Sequence, residues 1–487
     1  MKKLVGHSAR STKLGTRWRH VTVLAGLAAL LVGVTVLPSS SGASSQFVNW
    51  PAYLLSPLHS SYSPSATTIN TANASSLVKA WRLDVGVLSS PTVYQGVIYV
   101  GAENGDFYAI DEATGAVLWQ DSIGQVTKST CGNRGFASTA TVTKDPSTKR
   151  LTVYVASATG YMYAFDAISG SVVWRSVIGI PSTTENNFFD WSSPAVANGK
   201  VYIGISSQCD LPLVRGGLIS LDQATGTQLA TFFTVPPGDI GGSVWSSPAV
   251  DASGAVWITT GNGPGGDQQL GYSESIIKLD GVSLAEEGYW QIPNPVSDSD
   301  FGGSPTLFSA TIPGGSTLTR MVGACNKNGY YYVLNRDNPS AGPIWTKQIG
   351  AGSAGGTQDI CIEAATFDGA HLWITGPTAT VGGVKYRGSI QEVEPATGTT
   401  IWQTGLGGVT DGSASLDGAG VLSVATCDTK KGMPPSADYL LDASSGKLLA
   451  ALNSDGGPEF SQPIFADQYL VLGTFQSLTT YKLPSAT

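Results

Sequence analysis

The carboxylates of Asp210 and Asp300, the amide of Asn262, the cations Arg134 and Lys327, the hydroxyl of Ser207 and the indole of Trp245 fall in four stretches that interrupt an otherwise regular chain. The first stretch is Cys131-Gly132-Asn133-Arg134-Gly135-Phe136-Ala137, and the second is Ser206-Ser207-Gln208-Cys209-Asp210 with Arg215-Gly216-Gly217. The third is Val244-Trp245 followed by Thr260-Gly261-Asn262-Gly263. The fourth is Ser297-Asp298-Ser299-Asp300-Phe301-Gly302-Gly303-Ser304-Pro305, followed by Asn326-Lys327-Asn328-Gly329-Tyr330. Carboxylate and amide oxygens suit a hard cation, a carboxylate can also act as a general base, and an indole offers a flat face to another ring. Histidine chemistry is disfavoured, because three of the four histidines (His7, His20, His59) precede the regular part of the chain and only His371 lies within it. The five cysteines, Cys131, Cys209, Cys325, Cys361 and Cys427, form no Cys-x-x-Cys and no Cys-x-x-Cys-His, which excludes a covalently attached haem and an ordinary zinc knuckle. One or two disulfides are expected, with a pairing that spacing leaves open.

The regular part is a repeat. Ala109-Ile110-Asp111-Glu112-Ala113-Thr114-Gly115-Ala116-Val117-Leu118-Trp119 returns as Ala164-Phe165-Asp166-Ala167-Ile168-Ser169-Gly170 ending at Trp174, as Ser220-Leu221-Asp222-Gln223-Ala224-Thr225-Gly226, and in later copies ending at Trp290, Trp345 and Trp402. Upstream of most copies stands a Ser-Ser-Pro or Gly-Ser-Pro step, as at Ser89-Ser90-Pro91, Ser192-Ser193-Pro194, Ser246-Ser247-Pro248 and Gly303-Ser304-Pro305. Each unit reads as four short strands, and the Asp-x-x-Thr-Gly between the third and fourth is turn chemistry. Four strands in about 40 to 55 residues is a propeller blade.

Seven complete units start near Leu88, Gly135, Ser192, Ser246, Gly302, Ile362 and Gly412, and the tail from Ser461 holds the inner strands of another. The missing outer strand is predicted to come from Lys79-Ala80-Trp81-Arg82-Leu83-Asp84, which closes an eighth blade and removes the free sheet edge. The expected fold is therefore an all-β, eight-bladed propeller of four-stranded antiparallel blades over 78–487. Residues 44–77, rich in Ser, Thr, Asn and Pro, are expected to be a tether and strap.

Residues 1–43 read as a signal peptide or N-terminal anchor: six Lys or Arg in the first 19 positions, an apolar run from Val21 to Leu37, then Pro38-Ser39-Ser40-Ser41-Gly42-Ala43. An extracytoplasmic location follows, secreted or associated with the envelope, with the membrane touched only through that anchor. Without the six basic residues the formal charge moves from −8 to −14, which disfavours nucleic acid as a partner.

The four interruptions, in their order along the chain, resemble the site motifs of the quinoprotein alcohol dehydrogenases, propellers that hold pyrroloquinoline quinone (PQQ) and calcium. Asp300-Phe301-Gly302 with Ser304-Pro305, and Thr260-Gly261-Asn262, are most similar to the polyvinyl alcohol dehydrogenase branch. The likeness runs over roughly residues 80 to 483. It implies that Arg134 pairs with a quinone carboxylate, that Ser207 contacts the quinone, and that Trp245 carries the stacked ring. It implies Asp210, Asn262 and Asp300 as calcium ligands, Asp210 standing where the family usually has Glu. Asp300 is implied as general base, and Lys327 as the cation on the quinone oxygens. Trp191 occupies the same repeat position as Trp245, so a packing role for Trp245 stays open. Only Cys131 precedes the Asn-Arg-Gly, where the methanol-oxidising branch has adjacent cysteines. Gln358-Asp359-Ile360-Cys361 lacks the Trp common in the polyvinyl alcohol branch.

The implied activity is hydride transfer from an alcohol, secondary and polymeric alcohols included, to PQQ, with electrons leaving to a separate acceptor such as a cytochrome. The alternative is a non-catalytic propeller of the same repeat that binds envelope proteins or glycans.

Overall fold

The computed structural model describes residues 47–127, 134–180, 188–210, 213–266, 268–352, 360–427, 436–457 and 460–485. The segment 1–43, Cys131 and the Gln358-Asp359 pair lie outside them. The strands form eight four-stranded antiparallel sheets, seven from consecutive strands and one shared between the chain ends. Blade 1 runs through Thr92–Tyr94, Val97–Gly101, Asp106–Asp111 and Val117–Ser122. Blades 2 to 7 follow at intervals, with innermost strands Thr141–Lys144, Ala195–Ala197, Ala249–Val250, Thr306–Ala310, Thr366–Phe367 and Ser415–Leu416. In blade 8, Ile464–Ala466, Tyr469–Gly473 and Leu478–Lys482 are completed by Val78–Leu83, paired Val78 to Lys482 and Leu83 to Leu478. An added hairpin, Ala379–Val381 and Val384–Tyr386, rises between the second and third strands of blade 6. Among the described residues, no helix is long and apolar enough to cross a membrane.

The repeat motif is both a turn and a joint. Asp111 Oδ1 accepts the Thr114 N–H at 2.8 Å and its hydroxyl at 2.6 Å, and Gly115 takes φ +75°. Gly115 is required for a second reason: a Cβ there would lie 2.7 Å from the indole of Trp81 in the blade behind. The same seat recurs for Trp119 on Gly170, Trp174 on Gly226, Trp345 on Gly398 and Trp402 on Gly446. Trp81, Trp119, Trp174 and Trp345 also donate Nε1–H to a carbonyl of the next blade, at Glu112, Ala167, Gln223 and Pro395. These four therefore fasten their blades to the turn of the following one, burying apolar area as they satisfy their polar atom, whereas Trp402 makes the same seat with its Nε1 buried and no carbonyl partner.

The second residue of each Ser-Ser-Pro step forms an inner belt. Backbone N–H groups of Ser90, Thr139, Ser193 and Ser247 donate in turn to the hydroxyls of Thr139, Ser193, Ser247 and Ser304, at 2.9 to 3.0 Å. Ala364 donates to Ser413, and Gln462 returns to Ser90. Two links are missing from this row, from blade 5 to blade 6 and from blade 7 to blade 8, because Ala364 and Gln462 carry no hydroxyl.

Residues 47–77 cross the opposite end of the axis. Carbonyls of Trp50, Pro51, Pro57, Leu58, Ser60 and Ser61 accept the N–H of Val93, Val142, Val250, Leu307, Phe367 and Leu416, the innermost strands of blades 1, 2, 4, 5, 6 and 7. Val48 accepts from Asp467 in blade 8. To make that path the strap takes positive φ at Leu54, Leu55, His59 and Ser61. His59 is buried with Nδ1 2.9 Å from Pro305 O, and burial pushes its imidazole down to about 4, so it stays neutral.

Asp438 in blade 7 is fully buried with the hydroxyl of Ser423 on its carboxylate, and burial raises it to about 7. The folded value lies above the unfolded value of about 3.9. Its contribution to stability therefore falls as pH climbs from about 4 to 7 and is constant above that. Asp438→Asn is expected to flatten the decline of the urea midpoint over this window; an unchanged slope refutes the assignment.

Candidate active site on the axial face

All seven candidate residues sit in connections at one end of the propeller, the end away from the strap. Arg134, Trp245 and Asp300 lie in the links that lead into blades 2, 4 and 5. Ser207, Asp210, Asn262 and Lys327 follow the second strands of blades 3, 4 and 5, which end at Ile205, Thr259 and Asn326. Departures from the repeat converge because equivalent connections of a propeller share one face.

Asp300 is the hub. Oδ2 accepts from Lys327 Nζ at 2.8 Å, Oδ1 accepts the Asn262 N–H at 2.5 Å, and the Asp300 carbonyl accepts the Lys327 N–H at 2.9 Å. Lys327 Nζ also reaches Asp298 Oδ1 at 2.7 Å and stands 5.2 Å from the centre of the Trp245 ring. Burial opposes the ammonium, but Asp300 and Asp298 outweigh it and hold the lysine charged. Asp210 accepts from Ser207 Oγ at 3.1 Å; burial, reinforced by the charge of Asp300, pushes its carboxyl up to about 6. Burial and Asp300 likewise raise Asp298. Two carboxylates thus hold one ammonium in a partly desolvated place, with the charge of Asp210 felt nearby, an excess of negative charge that a divalent cation would offset. Asp210 and Asp298 also hold positive φ, 56° and 59°, a strained state that functional sites often keep.

Trp245 packs on Gly302, where a Cβ would come within 2.4 Å of the indole. A Cβ on Gly261 would meet both Asp300 Oδ1 and Trp245 Nε1, at 3.3 and 3.4 Å, so that glycine lets carboxylate and indole approach one strip of backbone. Trp191, its repeat equivalent, packs instead on Phe189 and Phe460 at 4.6 and 5.3 Å between ring centres. The two indoles differ in their neighbours: Lys327 stands beside Trp245, and aromatic rings beside Trp191.

Arg134 stands apart from this cluster. Its backbone pairs with Val126, its Nη1 meets both Glu103 oxygens at 3.2 Å, and its guanidinium lies 5.9 Å from the Phe475 ring. Its Nε is buried with no hydrogen-bond partner, as is Trp245 Nε1. Two orphaned buried donors, a half-buried indole and two cations fit a flat, carboxylate-bearing ring system. Oxygen donors from Asp210, Asn262 and Asp300 fit calcium; with the Asn262 Nδ2 donating to Gly263 O at 3.3 Å, its Oδ1 is the atom available to an ion.

Asp298 and Glu103 were not singled out by sequence, although Asp298 stood two residues before Asp300. Glu363 was missed too: it replaces the first Ser of the Ser-Ser-Pro step, is fully buried, and is pushed up to about 8 by burial and by Asp411. Two cysteine sulfurs lie within 4.8 Å of its carboxylate, but Cys325 and Cys361 form a disulfide and offer no thiolate.

The profile of the family described as PQQ, Glucose/ethanol/alcohol dehydrogenase, beta-propeller domain, matches residues 50–348, a span that includes every candidate site residue. The chain belongs to this family. Within it, the chain is 27% identical over 311 residues to a quinohemoprotein alcohol dehydrogenase of Comamonas testosteroni, covering 55% of this chain and 42% of that protein. It is 24% identical over 312 residues to a polyvinylalcohol dehydrogenase of Sphingopyxis sp., covering 54% and 44%. The chain thus spans under half the length of these PQQ-family relatives. The crystal structure of the Comamonas testosteroni enzyme superposes with a TM-score of 0.72 at 19% identity, covering 90% of this chain and 81% of that one, a likeness of fold.

Proposed function

We propose that the protein is a PQQ- and calcium-dependent alcohol dehydrogenase that works outside the cytoplasm. The observation that carries this reading is Asp300, fixed between the Asn262 N–H and the Lys327 ammonium beside the half-buried indole of Trp245. When bound, PQQ supplies the hydride acceptor and calcium the Lewis acidity that makes it electrophilic. The protein's own groups do the rest. Trp245 orients a flat ring by stacking, while Arg134 and Ser207 hold its polar rim. Lys327 is already charged and aimed, so it can stabilise negative charge that grows on an adjacent oxygen without reorganising. Asp300 is the carboxylate placed to take the hydroxyl proton of an alcohol, and its hydrogen bond to the Lys327 ammonium fixes its orientation for that task.

Asp210, Asn262 and Asp300 would hold the ion. With no Cys-x-x-Cys-His in the chain, electrons would pass to a separate acceptor such as a cytochrome. The basic and then apolar opening of the chain supports export. Secondary or polymeric alcohols are the substrate class we favour, on the likeness to a polyvinylalcohol dehydrogenase.

The test is a titration of the purified protein with PQQ, with and without calcium, following cofactor absorbance and melting temperature. Binding near one per chain that requires calcium is expected to raise the melting temperature, by about 2.7 kcal/mol of added stability at a hundredfold excess over Kd. The Arg134–Glu103 pair, which neutralises the arginine without a ligand, favours the second reading, a scaffold for envelope proteins or glycans. Absence of binding under both conditions would select it.

A further inference from the structure

We infer that the Cys325–Cys361 disulfide is a positioning clamp that holds Lys327 and the Trp245 indole in fixed relation. The inference rests on the reading that a quinone lies on Trp245.

The disulfide joins the second strand of blade 5, Thr319–Asn326, to the link that leads into blade 6, with 5.2 Å between Cα atoms and both residues fully buried. Lys327 follows Cys325 by two residues, and Ile362 follows Cys361 by one. Both residues come close to the indole. Lys327 Nζ stands 5.2 Å from the ring centre, and a Cβ on Gly302 would lie 2.4 Å from the indole Cη2 and 2.7 Å from Ile362 Cγ2, so Ile362 and the indole meet over that glycine. The strand end is stitched onward to the Asp300 loop, by Asn326 Nδ2 to Ser299 O at 2.8 Å and by Lys327 N to Asp300 O. The disulfide also sits at the joint between blades 5 and 6, where Ala364 interrupts the inner belt. Thr306 Oγ1 ties the two blades one step further along, accepting from Ala365 N at 3.1 Å. A covalent bond at that joint fixes side chains whose tolerance for misplacement is small.

The double variant Cys325→Ala/Cys361→Ala is compared with the wild type in two measurements, both below the melting point of the variant. In hydrogen exchange of the quinone-free protein, peptides covering 298–304 and 322–330 are expected to lose at least about tenfold of their protection, while blades 1 to 3 keep theirs. In PQQ titration with calcium, the Kd is expected to rise about 10- to 100-fold, the usual effect of losing an outer support of a site. A disulfide with a merely structural role would lower the melting temperature and leave both readouts unmoved, which overturns the inference. If the double variant fails to fold, Ile362→Ala, with the disulfide intact, must weaken PQQ binding in the same direction, and an unchanged Kd there overturns the clamp. Failure of the wild type to bind PQQ would refute the proposed function, and the exchange measurement would then decide the clamp alone.

Discussion

Replacing Asp300 by Asn is expected to lower alcohol-dependent dye reduction by about 10²- to 10⁴-fold, the range a general base contributes, while PQQ and calcium still bind. The amide has the shape of the carboxylate, and its oxygen can still accept from the Asn262 N–H or from Lys327 Nζ. It cannot do both and also receive a proton. Lys327 keeps Asp298 as a partner at 2.7 Å, so the ammonium stays in place and the platform beside Trp245 is preserved. The measurement is turnover at saturating PQQ and calcium, set beside the titration used for the wild type. Unchanged turnover would remove Asp300 from the mechanism. Loss of binding together with turnover would make it a structural ligand.

Lys327→Met should do more harm to the fold than to any single chemical step. Without the ammonium, Asp298 and Asp300 face each other and Asp210 with no compensating cation. Removing one partner from a buried ion pair costs about 3 to 5 kcal/mol. Asp298 and Asp210, already raised by burial, then lose the lysine that counters that rise and hold protons more tightly still. Groups raised in this way cost nothing below their unfolded value near 4 and progressively more as pH rises through the folded value. The variant is therefore expected to approach the wild-type urea midpoint near pH 4 and to fall furthest behind near pH 8. A deficit independent of pH would mean that the lysine acts through packing, and the description of the three carboxylates as a charge excess would be wrong.

The number of blades was legible because the repeat is written in turn chemistry, and turns are local. The strand Val78–Leu83 could be matched to the tail because each blade must have a fourth strand and only one was left over. Site residues were legible as departures, and they converge because the connections that carry them share one face. What escaped notice lies between blades, where partners stand about fifty residues apart and leave no periodic signal. Nothing local in Ser-Ser-Pro says that its second hydroxyl receives the N–H of the preceding blade, or that Gly115 is bare because Trp81 rests on it. Trp191 and Trp245 read alike in one dimension and are told apart by Lys327, which belongs to a third blade. Cys325 and Cys361 pair across two blades, so counting cysteines left their partners open. Asp298 was overlooked for a different reason: a second acidic residue beside Asp300 resembles a solvated loop until Lys327 is seen to hold both.

The strap across the far end of the axis sets an order on folding. Each blade from 1 to 7 is built from neighbouring hairpins and can form soon after its own strands exist. Residues 47–77 are synthesised before all of them, yet their hydrogen-bond partners are scattered from Val93 to Asp467, and Val78–Leu83 must wait for Leu478–Lys482. The earliest segment of the chain is consequently the last to be seated, a contact of the longest range the chain allows and hence a slow one. A chain stopped short of Leu478 would hold most of its blades, two unpaired sheet edges and an idle strap, a combination that invites association with its own kind.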